Sequence, residues 1–222
     1  MKKSAINIPE GCAKVLLHAC CAPCSSALVE WLLAHQITPV IYYYNPNIYP
    51  QEEYEIRKNE SKRHAGSLGI QWIDDDGFQT TEYNLRHNEW RQTVCGLENE
   101  PERGKRCEMC FFYRLLATAK KAKELDIPFF ATTLASSRWK NLDQVNAAGL
   151  RAAEIINSTS SSTLPDQQAE KPLVFWAQNW RKDGLQDRRN ALLKEYKFYN
   201  QIYCGCEFSL RSANITHTTP GE

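Results

Sequence analysis

Short apolar runs alternate with longer segments of helical spacing, and that alternation leaves few folds open to this chain. Lys14-Val15-Leu16-Leu17-His18-Ala19 reads as a buried strand. Pro23 to His35 reads as a helix, with Pro23 in the first turn and Ala27, Leu28, Trp31 and Leu32 recurring at helical spacing. Thr38 to Tyr44 is a second strand, ending at Asn45-Pro46-Asn47. Gln51 to Leu68 is a charged helix stopped by Gly69, and Ile70 to Ile73 is a short third strand running into Asp74-Asp75-Asp76-Gly77. Strand–helix–strand–helix–strand order argues for an α/β layer with a parallel sheet flanked by helices.

The remainder continues the pattern. Glu82 to Cys95 is expected to be helical, Gly96 to Arg106 a polar loop, and Glu108 to Leu125 a helix. Pro128 to Thr133 gives a fourth strand, Leu142 to Ile156 a helix, Pro172 to Trp176 a fifth strand and Gln186 to Tyr199 a last helix. The polar stretch 157–170 (NSTSSSTLPDQQAE) is expected to be a surface loop, since too few residues follow it for a second domain. A chain of 222 residues, 42% hydrophobic and 24% charged, fits one domain over 14–210, with 1–13 and 211–222 as flexible termini.

The cysteines carry the chemistry. Cys20 and Cys21 follow the first strand, at the edge where open α/β sheets bind ligands. Cys107 and Cys110 form a C-x-x-C at the start of a helix, where the N-terminal dipole favours thiolates. Two tight pairs suit an iron–sulfur cube; a structural zinc or a set of buried thiols are the alternatives. Cys24 has three readings: a spare cluster ligand, a ligand to a second metal, or a buried helix residue. Cys204-Gly205-Cys206 is spaced for a small, strained and therefore reducible disulfide, with two unrelated thiols as the plain alternative. Cys12 and Cys95 stand alone and are expected to be small buried hydrophobes. Of Asp74, Asp75 and Asp76, one can bind metal or substrate, against a solvated turn for the rest.

Net charge is +1, so no global field advertises a nucleic-acid partner. Charge is nonetheless concentrated locally. Residues 171–200 carry seven Lys/Arg, Arg188 and Arg189 among them, against three acids. They are interleaved with Phe175, Trp176, Trp180, Tyr196 and Tyr199, a mixture that suits phosphate contact and base stacking. A second basic group, Arg103-Lys105-Arg106, abuts the C-x-x-C. A solvated amphipathic face explains the first segment equally well. No run of about 18 apolar residues exists, and Met1-Lys2-Lys3-Ser4 leads into no apolar signal core. A cytoplasmic protein is expected, in which nine cysteines point to metal binding or catalysis rather than a disulfide framework.

Four segments, LLHACCAPCS, YYYNPNIYPQEEYEIRK, EPERGKRCEMCFFYRL and YNQIYCGCEFSL, together resemble the QueH-type, cobalamin-independent epoxyqueuosine reductases over most of residues 14–210. The resemblance implies a Rossmann-like, nucleotide-hydrolase-type α/β fold. It implies a [4Fe-4S] cluster on Cys20, Cys21, Cys107 and Cys110, and a redox-active disulfide between Cys204 and Cys206. A mononuclear iron beside the cube is a further implied feature, with Cys24 its candidate ligand. The implied reaction is two-electron deoxygenation of epoxyqueuosine at the wobble position of tRNA, the last step of queuosine biosynthesis. The partners are then the tRNA anticodon loop and an electron donor that the sequence does not identify. Two other readings stand beside this one. A sulfonucleotide-reductase-like enzyme shares the C-C…C-x-x-C pattern, but the turn Cys-Cys-Ala-Pro-Cys lacks a phosphate-cradling loop and the tail carries C-G-C. The other is a zinc-stabilised RNA-binding module without catalysis.

Overall fold

The computed structural model describes residues 6–75, 80–160 and 171–210. Five strands, β1 (Lys14–His18), β2 (Thr38–Tyr43), β3 (Trp72–Asp74), β4 (Phe129–Thr132) and β5 (Val174–Phe175), form one sheet. Their order is β3-β2-β1-β4-β5 and every pairing is parallel. Leu16 lies beside Val40 of β2 and Phe130 of β4, so β1 is the central strand. Val15 to His18 are fully buried, as a strand covered on both faces requires.

Six α-helices cover the sheet: α1 (Ala22–Ala34), α2 (Gln51–Ser67), α3 (Thr80–Thr93), α4 (Lys105–Glu124), α5 (Leu142–Ser160) and α6 (Leu185–Glu195). α1 packs with α2 and α6, and α4 packs along α5, giving helical layers on both sides of a Rossmann-like sheet.

Four helices end in one backbone device. Gln36, Gly69, Asp126 and Lys197 take positive φ of 60°, 66°, 51° and 51° just past α1, α2, α4 and α6. The next amide then reaches back into the helix: Ile37 to Leu32, Ile70 to Ala65, Ile127 to Ala122 and Phe198 to Leu193, all at 2.9–3.0 Å. This is the Schellman closure, with an apolar residue following the reversal. It ends α6 at Glu195 rather than at the expected Tyr199. Without a glycine at Lys197, composition carries no stop signal there.

Other boundaries moved for local reasons. α5 runs through Asn157 to Ser160, where a loop was expected. The Asn157 side chain donates to the Leu173 carbonyl (3.0 Å) and accepts from its amide (2.8 Å), and Ser158 and Thr159 bond back to helix carbonyls. Residues 161–170 lie outside the described part. α4 starts at Lys105, before the expected Glu108, because the Glu100 carboxylate accepts from the Lys105 amide at 3.0 Å. Residues 6–13, expected to be a flexible terminus, are tethered at Ile6, Asn7 and Cys12, although Ile8, Glu10 and Gly11 are exposed. The Ile6 amide donates to Asp183 (2.8 Å), Trp176 donates to the Asn7 carbonyl (2.8 Å), and Cys12 is buried. Residues 1–5 and 211–222 lie outside the described part.

Candidate active site

Strand order reverses between β1 and β4, and doubly wound sheets bind ligands at the crevice opened there. β1 delivers Cys20 and Cys21 to that point, with Cys21 as the N-cap residue of α1. The turn is held from both neighbours. Thr133, just after β4, accepts from the Cys20 amide (3.2 Å) and donates to its sulfur (3.5 Å). Asn45, just after β2, donates to the Ala19 carbonyl (2.9 Å) and accepts from the buried Arg114. Ser136 holds the Cys24 carbonyl at 3.2 Å.

The sulfurs of Cys20, Cys21 and Cys24 lie within 4.8 Å of one another. In that buried setting the three thiols cannot all ionise. Hydrogen bonds from Cys21 and Cys24 draw the Cys20 thiol far below its usual range. Serving as donors to Cys20 pushes Cys21 up strongly and Cys24 to about 12. Binding a cation to such a trio displaces the protons it still holds.

Cys107 and Cys110 stand one turn apart at the start of α4. The Arg103 amide donates to the Cys107 sulfur at 3.3 Å. Cys110 faces an apolar cluster with Trp90, Val94, Cys206 and Phe208. Burial pushes the Cys107 thiol up to about 11 and raises that of Cys110. Neither belongs to the tight trio of Cys20, Cys21 and Cys24.

The C-G-C pair is asymmetric. Cys204 is half-buried and receives the Lys140 ammonium at 3.1 Å. Burial would drive Lys140 toward its neutral form, but the sulfurs of Cys204 and Cys20 outweigh that and keep it charged far beyond the usual lysine range. Cys206 is buried, and burial first, then Cys204, pushes its thiol to about 12. Both are thiols in this structure, as are the other seven cysteines. The segment is strapped down by Arg57, whose guanidinium donates to the Tyr203 and Cys204 carbonyls at 3.3 Å each. The Tyr49 amide holds the Gly205 carbonyl at 2.8 Å. Gln201 reaches the Cys21 sulfur at 3.3 Å, tying this segment to the trio.

One cavity of about 820 Å³ is lined by Cys20, Cys24, Cys107 and Cys204 together. Arg57, Arg103, Arg114, Arg138, Lys140 and Arg189 also line it, against the single carboxylate of Glu102 among the described residues. An excess of cations in a concave site selects anionic ligands and focuses them.

The other expected residues fall in different places. Arg103 and Arg189 are at the cavity, and Lys105 is exposed on the first turn of α4. Arg106 is buried and donates to the carbonyls of Leu97, Glu98 and Glu100. Arg188 is held by Glu30 through two bonds of 2.6 and 2.8 Å. Cys12 is buried as expected, whereas Cys95 is exposed. Asp74 is paired with Lys58, and Asp75 with Lys121 (3.0 Å) and the Tyr42 hydroxyl (3.0 Å), so these two brace the sheet edge. Asp76 lies outside the described residues. Sequence reasoning missed Lys140 and Trp139, which stand in no motif, and gave no role to Arg57 and Arg114, which lie within two of the segments that carry the family resemblance.

A doubly wound sheet whose switch point brings Cys20, Cys24, Cys107 and Cys204 to one cation-lined cavity defines a thiol-centred α/β protein built for an anionic ligand. Comparison with known proteins sharpens that class. A family model described as epoxyqueuosine reductase QueH matches residues 15–212. The chain is 42% identical to the epoxyqueuosine reductase QueH of Haemophilus influenzae, over 96% of this chain and 78% of the relative. It is 42% identical to that of Acinetobacter baylyi, over 97% and 89%, and 33% identical to that of Thermotoga maritima, over 91% and 93%. The chain belongs to the epoxyqueuosine reductase QueH family.

Proposed function

We propose that this protein reduces epoxyqueuosine to queuosine at the wobble position of tRNA, using Cys204 and Cys206 as a dithiol beside an iron–sulfur group. The observation that carries the reading is the convergence of Cys20, Cys24, Cys107 and Cys204 on one cation-lined cavity at the switch point.

The donor set suits a [4Fe-4S] cluster held by Cys20, Cys21, Cys107 and Cys110. All four are thiols, and two of their sulfurs receive N–H donors, from Arg103 and Gln201. Lys140 and Arg114 supply counter-charge. Cys24, close to Cys20 and Cys21, would be left to hold an additional mononuclear iron. Bound there, the metal group supplies single electrons and Lewis acidity.

The electron balance closes on this chain's own thiols. Opening the epoxide to the alkene and water consumes two electrons and two protons. Oxidation of the Cys204–Cys206 dithiol to a disulfide releases two electrons and two protons. An external reductant then restores the dithiol. Cys204 faces the cavity with Lys140 against its sulfur, while Cys206 lies behind it among Trp90 and Phe208. That arrangement makes Cys204 the exchanging sulfur and Cys206 its buried partner. The wobble nucleotide is unpaired in an anticodon loop, so it can be splayed into a cavity of this size, and the six cations suit its flanking phosphates.

Anaerobic reconstitution with iron and sulfide, followed by assay on epoxyqueuosine-containing tRNA with product identified by mass spectrometry, tests the reading. Conversion to queuosine is expected. The compact Cys20, Cys21, Cys24 trio favours one competing assignment, a lone metal ion on those three residues. Metal analysis separates them: iron with matching acid-labile sulfide supports the cluster, and one zinc without sulfide refutes it.

A further inference from the structure

Trp139 is exposed at 67%, beside the most sensitive part of the molecule. Isolated exposed apolar residues are ordinary. What sets this one apart is the backbone beneath it. Four consecutive carbonyls are each held by a guanidinium. Arg181 donates to Ser137 (2.5 Å) and Lys140 (2.9 Å), and Arg103 donates to Arg138 (3.3 Å) and Trp139 (2.9 Å). Arg103 is in turn fixed by Gln144, which donates to its carbonyl at 2.7 Å. Trp139 precedes Lys140, the residue that contacts Cys204, so the indole sits at a set position relative to the dithiol. A loop pinned this firmly that still leaves its tryptophan in solvent is built to present the ring.

The surroundings select the partner. Trp139 and Ile202, the latter exposed at 74%, both line the cavity that holds the cysteines. The Arg138 guanidinium lies 5.1 Å from the centre of the Trp139 ring, and Arg103, Arg138 and Arg189 give the same lining positive charge. A flat aromatic face next to guanidinium groups at a cavity wall fits an unpaired nucleobase followed by its phosphate. A protein partner would find few apolar neighbours there and an excess of like charge.

We propose that Trp139 is the stacking platform for an unpaired base adjacent to the nucleotide that enters the cavity, with Arg138 taking the phosphate between them. This rests on the tRNA reading given above. It adds a contact that fixes the register of the loop, so that one nucleotide and not its neighbour reaches Cys204.

The test uses iron-loaded full-length protein and an anticodon stem–loop RNA carrying epoxyqueuosine, with a blunt duplex of equal length as control. The other tryptophans are buried or half-buried, so exposed-indole emission reports on Trp139. Wild type is expected to bind the stem–loop with strong quenching of that emission. Trp139→Ala is expected to weaken stem–loop binding about 5- to 150-fold, the range that loss of one base–aromatic stack produces. Duplex affinity should change far less. Trp139→Phe should abolish the quenching and recover most of the affinity. Iron content and melting temperature report whether each variant is folded. Equal binding of the stem–loop by wild type and both variants overturns the proposal, as does an equal loss on loop and duplex. A Trp139→Ala effect on self-association alone also overturns it. If wild type itself shows no preference for the loop over the duplex, the tRNA reading fails instead.

Discussion

Gly205, between the two cysteines of the pair, gives the sharpest mutational test. Its φ is +120°, a backbone state open to glycine and strained for other residues by about 1–3 kcal/mol. A methyl group there would also stand 2.9 Å from Arg57 Nη1 and 3.2 Å from Ile48 Cγ1. Arg57 has little room to yield. It is buried, paired with Glu53 at 2.5 Å, and its two terminal nitrogens hold the Tyr203 and Cys204 carbonyls. Displacing it loses at least one charge-assisted hydrogen bond, about 1.5–3 kcal/mol. Gly205→Ala should therefore destabilise the strapped segment by about 2.5–6 kcal/mol. If the loss is transmitted to the whole domain, the melting temperature falls by roughly 5–24 °C, taking ~2–4 °C per kcal/mol for a chain of this size. If the segment lifts off locally, melting shifts less and multiple turnover collapses, because Cys204 leaves Lys140. Thermal unfolding and steady-state assay on the same iron-loaded preparation measure both. A Gly205→Ala protein with wild-type melting and wild-type turnover would refute the argument that Arg57 and the backbone of Gly205 set the geometry of the pair.

Other expectations follow from the same contacts. Replacing any one of Cys20, Cys21, Cys107 or Cys110 by Ser should remove most iron and sulfide by chemical analysis; full iron content in Cys107→Ser would overturn that ligand set. A double Cys204→Ala, Cys206→Ala variant should keep its iron and bind tRNA but lose multiple turnover, whereas unchanged turnover with the same reductant would make the pair structural. Arg189→Ala, at the cavity, should weaken tRNA binding and lower the slope of log Kd against log salt by about one, while Arg188→Ala, already neutralised by Glu30, should change it less; equal slopes would count against this division. Burial raises the Cys12 thiol to about 11, so the folded state favours its neutral form. That contribution is complete below the unfolded value near 9 and is lost as pH rises toward 11, so wild type should lose stability between pH 9 and 11 more steeply than Cys12→Ala, by up to about one proton in slope. Identical alkaline unfolding curves would refute it.

The elements that were legible in the sequence are those whose signals are local. β1 is a continuous apolar run because both of its faces are covered, and Pro23 marks the first turn of α1. The ends were less legible where the stop is a conformation rather than a residue type, as at Lys197 and Asp126. The cysteines stood out by spacing alone, and the structure brings Cys20, Cys24, Cys107 and Cys204 to one cavity. The cations around them did not stand out. α2 looks like a solvated charged helix, yet Glu53, Arg57, Lys58 and His64 are buried. Their partners lie at Tyr199, Tyr203, Cys204, Asp74 and Phe198, too far along the chain for any local pattern to register. Lys140 and Trp139 sit in a short connection whose shape depends on Arg103 and Arg181, again remote in sequence.

The strapped segment carrying Cys204 and Cys206 also sets an order of assembly. Cys20, Cys21, Cys24, Cys107 and Cys110 all lie within the first half of the chain, and among the described residues every strand precedes residue 176. A chain leaving the ribosome from its N-terminus can therefore complete its sheet and present all five of these thiols before the last pair emerges. Only then does the terminal stretch dock through Tyr199 on Glu60 and Glu53, and through Arg57 and Tyr49 on the C-G-C turn. The metal group proposed above would then have a window in which the cavity is still uncovered. Cys204 and Cys206 would arrive after that window, already directed to Lys140 and the Trp90 cluster.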